Sequence, residues 1–119
     1  LPFQNQSRMP LVYRLGDLFV LPSAYGESWG LAVNEALACS RPVLVSDRVG
    51  CATDVVEPKS GRIFPWRDWR SMTQAANALL FDRGADPELQ DAATAQAWRF
   101  DISLTEAKLL EAVGRICER

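Results

Sequence analysis

Two short, uninterrupted apolar runs, Leu18–Leu21 and Val43–Val45, bracket the segment WGLAVNEALACS, whose apolar residues recur as on a helix. A strand with one wet face alternates apolar and polar residues. A continuous run belongs instead to a strand covered on both faces, the usual condition of a parallel sheet. Parallel neighbours need a crossover between them, and a helix is the ordinary one. The order strand, helix, strand therefore predicts an α/β domain with a parallel sheet flanked by helices.

The remaining segments fit around that unit. Residues 1–10 read as a loop entering a short helix, about Pro10 to Leu15, stopped by Gly16. Pro22 ends the first strand, and Ser23 to Ser28 is a loop of small and polar residues. The helix from about Gly30 to Cys39 is apolar almost all round, which predicts burial. Gly50 to Pro58 reads as a loop with a short helical turn, and Arg62–Pro65 as a third strand. Ser71 is a candidate cap for a helix with the stripe Met72, Ala75, Ala76, Leu79 and Leu80. Pro87 suits the first turn of a helix running to about Trp98. Ser103 and Glu106 have capping-box spacing and open a last helix with Leu104, Ala107, Leu110, Val113 and Cys117 as its stripe. Doubly wound domains usually have five or more strands, so three strands suggest the second half of an α/β domain, its partners lying before Leu1. The start at Leu1 rather than methionine points the same way, to processing or to a piece of something longer.

The 119 residues amount to one ordinary domain, long enough to fold without disulfides or metal. A net charge of −2 argues against a nucleic-acid partner or a basic membrane-surface module. Histidine is absent, which removes imidazole bases, Ser-His-Asp and Cys-His systems, and His-built zinc sites. Cys39, Cys51 and Cys117 share no CxxC spacing and read as free thiols in a reducing cytoplasm. No apolar run is long enough to span a membrane.

Ligands of open parallel sheets bind beyond the carboxyl ends of the strands. Here that place is the junction PSAYGESWGLAVNE. Gly26 and Gly30 allow close backbone approach, and the helix N-terminus near Gly30 offers unpaired N–H groups suited to a diphosphate. Neither GxxxxGK[ST] nor GxGxxG occurs. Glu35 interrupts an apolar helix between Val33 and Leu37. A carboxylate there needs a solvated cleft, a cation such as Arg41, or a ligand whose hydroxyls it accepts, such as a ribose. Glu27, eight positions earlier, either contacts another part of the same ligand or is a solvated loop acid. Trp66 and Trp69 flank Arg67 and Asp68 and serve either as rim packing or as a stacking platform. Trp98 and Phe100 are expected to anchor the last helix.

The stretch LFVLPSAYGESWGLAVNEALACSRPVLVSDRVGCATDVVEPKSGRIFPWRD resembles the C-terminal, donor-binding half of retaining group 1 glycosyltransferases. Glu27 and Glu35 stand in that family's E-x7-E pattern, between PS and EALAC-x-RPV. Gly50, Asp54, Val55, Val56 and Gly61 match its downstream segment. The resemblance covers about residues 11–80, with C-terminal helices at 86–118, and implies the C-terminal half of a Rossmann-like GT-B nucleotide-sugar domain. It implies that a nucleotide-diphosphate sugar gives its sugar to an acceptor hydroxyl with retention, in polysaccharide or glycolipid synthesis. By the same resemblance, Glu27 is the catalytic-site residue on the donor sugar. Ser28, Trp29, Gly30 and Leu31 surround the diphosphate, and Glu35 takes the ribose. No metal or other cofactor is implied.

Departures from the family's pattern are few. Ser40 replaces the usual glycine at a helix C′ position, and Asp54 the common glutamate. The family's Arg–Lys pair and its N-terminal acceptor domain would lie upstream, and Lys59 and Lys108 do not replace the pair. The chain alone is therefore expected to bind donor weakly and not to turn over. Its last helix, lacking a partner, is expected to favour self-association. The parent enzyme is expected to be cytoplasmic and free to work peripherally at a membrane. The rival from another class is a non-catalytic nucleotide-sugar-binding or assembly module. An epimerase would need a His near the diphosphate, and a phosphorylase a lysine-bound pyridoxal phosphate; neither residue is in place here.

Overall fold

A computed structural model describes residue 2 and residues 4–25, 27–82 and 87–117. Three parallel strands form one sheet in the order β1-β2-β3: β1 (Phe19–Leu21), β2 (Val43–Ser46) and β3 (Gly61–Phe64). The helices are α1 (Met9–Arg14), α2 (Leu31–Ala38), α3 (Ala52–Val55), α4 (Trp69–Asn77), α5 (Pro87–Trp98) and α6 (Ile102–Cys117). A 3-10 turn (Gln6–Arg8) leads into α1, and a π-helical turn (Ala78–Asp82) extends α4. The predicted order of strands and helices therefore holds along the described chain.

Burial follows from the alternation of side chains across β2, whose four residues are all buried. Val43 and Val45 face a layer built from Val33, Ala36 and Leu37 of α2 and Ala93 of α5, with Tyr13 of α1 and Phe100 against it. Leu44 faces the other way and packs with Phe64 and Leu79, with Met72, Ala75 and Ala76 of α4 at the margin. β1 differs from expectation. Val20 is 41 % exposed, because it lies on the edge strand, where the α4 layer does not reach. The all-round burial expected of α2 is also incomplete: Leu31 and Ala38 are exposed, since the sheet and α5 cover only one side of the helix.

Helix ends explain further differences. Asp68, not Ser71, caps α4: its carboxylate accepts the Ser71 N–H at 3.0 Å and the Ser71 hydroxyl at 2.6 Å. Asp101 plays the same part for α6, accepting the Ser103 N–H at 2.9 Å. An aspartate at the position just before the first turn reaches the orphan amides that the serines were expected to satisfy. These contacts, led in each case by the serine hydroxyl, hold both carboxyls below the usual aspartate range. At the far end of α2, Ser40 takes the left-handed conformation, φ 60°. Its N–H donates to the Leu37 carbonyl and that of Arg41 to the Ala36 carbonyl, at 2.9 Å each, the pairing of a Schellman end. The Ser40 hydroxyl lies 2.8 Å from that of Thr94, which ties this end to α5.

Candidate functional site

The loop between β1 and α2 leaves the carboxyl edge of the sheet. Gly30 begins the helix at φ +94°, and a Cβ there would stand 2.8 Å from Cγ1 of Val49. A side chain is excluded on both counts. Gly30 therefore caps α2 without a side-chain acceptor. Among the described residues, the N–H groups of Trp29, Gly30 and Leu31 meet no acceptor, whereas Val33 N–H returns to the Gly30 carbonyl at 2.8 Å. Free donors and the positive end of the helix dipole thus point off the sheet edge, an arrangement suited to an anion.

The loop is held from behind. Cys51 N–H donates to the Trp29 carbonyl at 2.8 Å. A Cβ on Gly50 would lie 1.9 Å from the Ser28 carbonyl oxygen, so only glycine permits the two loops to touch. The Cys51 thiol is buried beneath Gly30, and its pKa is pushed up by burial and, further, by the charge of Glu27. Trp29 donates its indole N–H to Oδ1 of Asn34 at 3.1 Å and meets the Phe100 ring edge-on at 6.5 Å. Ser28 and Leu31 are exposed, and Glu27 is half-buried. Gly26 lies outside the described residues.

Glu35 sits about 6 Å further along the helix axis than Leu31, at 1.5 Å per residue. Its partner is not Arg41, whose Nε is buried without a hydrogen-bond partner among the described residues. Instead Tyr13 donates its hydroxyl at 2.7 Å and Gln6 its amide at 3.0 Å. With Met9, Pro10, Ala38 and Cys39 these residues line a cleft of about 160 Å³. Burial, then the bond to Glu35, pushes the Tyr13 phenol far above its ordinary value, so it stays a donor. A carboxylate has about four lone-pair positions. Two are occupied here, which fixes the group while leaving room for hydroxyls of a ligand. Sequence reasoning missed Tyr13 and Gln6. The available signal was a tyrosine, with a hydroxyl to satisfy, on the apolar face of α1.

The family model described as "Glycosyl transferases group 1" matches residues 1–98. The chain belongs to this family. Relatives share a third of its residues over nearly its whole length. D-inositol 3-phosphate glycosyltransferase of Mycobacteroides abscessus is 35% identical over 97% of the chain, and its counterpart from Salinispora arenicola 35% over 96%. The chain spans 25% of the length of each. Among solved structures, sucrose-phosphate synthase from Thermosynechococcus elongatus superposes over 98% of this chain and 30% of its own, with TM-score 0.76 and 22% identity. That likeness is one of fold and agrees with a GT-B Rossmann-like α/β domain. Within this family member, the aromatic residues that begin α4 and end α5 differ from Phe100. Trp69 and Trp98 are 56 % and 65 % exposed, and Trp98 therefore does not anchor α6, contrary to expectation; Phe100 alone reaches the core. No helix among the described residues is long and apolar enough to cross a membrane.

Proposed function

We propose that the chain is the donor-binding part of a glycosyltransferase that moves a sugar from a nucleoside-diphosphate sugar to an acceptor hydroxyl with retention. The observation that carries this reading is the start of α2, capped without a side-chain acceptor, beside a carboxylate already oriented by Tyr13 and Gln6. The diphosphate meets the amides of Trp29, Gly30 and Leu31, with Ser28 at the mouth of the loop. Glu35 accepts the ribose hydroxyls, and Glu27 accepts hydroxyls of the donor sugar next to the reacting carbon. Family membership supports sugar transfer in general, and the relatives are named as glycosyltransferases.

Charge develops on the leaving diphosphate as the glycosidic bond breaks. Preorganised N–H donors at a helix tip stabilise that charge without reorganising at the moment of reaction. No resident metal or cofactor is part of the proposal. An acceptor-binding N-terminal domain is its natural partner, and polysaccharide or glycolipid assembly in the cytoplasm is the proposed setting.

The test is an amide-shift titration of the chain with UDP-, GDP- and ADP-sugars, beside Glu35→Ala. Saturable shifts over residues 27–35 for one base, lost in the variant, are expected. Equal shifts in the variant, or none at millimolar ligand with the upstream half supplied, contradict it.

A further inference from the structure

One group of side chains at the carboxyl edge of the sheet has no part in the donor contacts above. Each strand contributes to it from the loop that follows: Tyr25 after β1, Arg48 after β2, and Trp66 with Arg67 after β3. The Tyr25 and Trp66 rings meet edge to face, centroids 5.4 Å apart and planes at 66°. The Arg48 guanidinium lies 5.7 Å from the Tyr25 ring, and that of Arg67 4.2 Å from the Trp66 ring. The sequence of groups is cation, ring, ring, cation.

The group is held in place from below. Asp47 accepts the Trp66 N–H at 2.9 Å and stands 3.6 Å from Nε of Arg48, which leaves the outer donors of that guanidinium free. Arg67 forms no ion pair among the described residues, and its backbone lies in the left-handed region at φ 70°. A non-glycine residue there costs about 1 kcal/mol or more, offset locally by the turn in which Asp68 N–H reaches the Pro65 carbonyl at 2.9 Å. That turn carries Arg67 across the face of Trp66. Tyr25 is 74 % exposed, so its ring is offered to solvent and not to the core.

We infer that Tyr25, Trp66, Arg48 and Arg67 form a binding site for a sugar bearing an oxyanion, a phosphate or a carboxylate. The C–H face of a sugar ring buries its apolar surface on an aromatic ring, and a guanidinium supplies paired donors to the anion. Stacking on the rings pre-orients both guanidiniums, so less freedom is lost when an anion binds. Tyr25 stands two positions before Glu27, so this site adjoins the proposed donor loop. The sugar part of the inference rests on the donor reading; the oxyanion part rests on the arginines themselves.

The test uses the 119-residue chain with glucose 6-phosphate, glucose, inorganic phosphate and uridine diphosphate as probes, followed at the Trp66 indole N–H and the arginine Nε–H signals. Glucose 6-phosphate is expected to shift these signals saturably and to bind about tenfold or more tightly than glucose or phosphate. The double variant Arg48→Gln, Arg67→Gln should lose at least about tenfold of that affinity, the scale of charge-assisted bonds. Both arginines are exposed, so an unchanged amide spectrum elsewhere shows that the variant is folded. Retention of the shifts in Glu35→Ala supports an independent site. Uridine diphosphate reports separately on α2: silence there with the upstream half supplied, and glucose 6-phosphate still bound at Trp66, breaks the donor reading and leaves the oxyanion part of this one standing. Equal affinity for phosphate and glucose 6-phosphate, or full binding by the double variant, overturns the inference.

Discussion

α2 and α6 are both helices with apolar faces, yet they hold opposite positions in the molecule. Val33, Ala36 and Leu37 of α2 are wholly buried against β2 and α5. Along α6, Ile102, Leu109, Leu110 and Ile116 are each more than three-fifths exposed. Periodicity reports that a helix has an apolar face; it carries no information about what covers that face. α2 is specified by its neighbours in the sheet, whereas α6, among the described residues, is held chiefly by its own turns, its Asp101 cap and a pair such as Arg115 with Glu111.

Leu37→Ala tests this contrast most strongly. It should lower stability in urea unfolding by about 2–5 kcal/mol, the cost of a cavity in a packed core. Leu110→Ala in α6 should change it by no more than about 0.5 kcal/mol. Equal effects would mean that α6 is packed in solution. Gly50→Ala comes next. The added methyl must push the Ser28 carbonyl away, with an expected cost of about 1–3 kcal/mol and amide shifts confined to residues 28–31 and their surroundings.

Thiol chemistry sharpens the same comparison. Cys117 is exposed, whereas Cys39 and Cys51 are buried, and the Cys51 thiol is held up in pKa chiefly by that burial. A neutral-pH disulfide reagent should label one thiol quickly and the other two only on unfolding. Three fast thiols would show that the α2 layer is open.

The smallest effect is electrostatic. Asp68 and Asp101 have pKa values lowered on folding, so each adds stability above the ordinary carboxylate value near 4 and loses it as pH falls through the lower folded value. Asp68→Asn should therefore melt below the parent at pH 7, with the gap closing in acid. Asp101→Asn should weaken only the first turn of α6, seen by amide exchange, and leave the main transition in place.

The alternation of strands and helices was legible because burial on two faces leaves a continuous apolar run in β2. It misled at β1, where Val20 is apolar in sequence but lies at an edge the α4 layer does not cover. The left-handed end at Ser40 was legible from its place after the helix, and its conformation was met with φ 60°. The caps were misassigned because serine and aspartate lie three or fewer residues apart and only geometry decides which reaches the amides. Within the candidate site, Glu35 stood out as a charge in an apolar helix, but its partners Tyr13 and Gln6 come from 22 and 29 positions away. Of the ring and arginine row after the strands, Trp66 beside Arg67 was visible as a candidate platform, but Tyr25 and Arg48 were hidden, since three separate loops assemble it.

The central claim is that α2 receives a nucleoside-diphosphate sugar. Its most direct test is a crystal structure of the chain with the donor whose base the titration selects. The account predicts ribose hydroxyls within hydrogen-bond distance of Glu35, with Tyr13 still donating to it, and the diphosphate on the amides of Trp29, Gly30 and Leu31. A donor seated elsewhere, with Glu35 bound only by Tyr13 and Gln6, would contradict it.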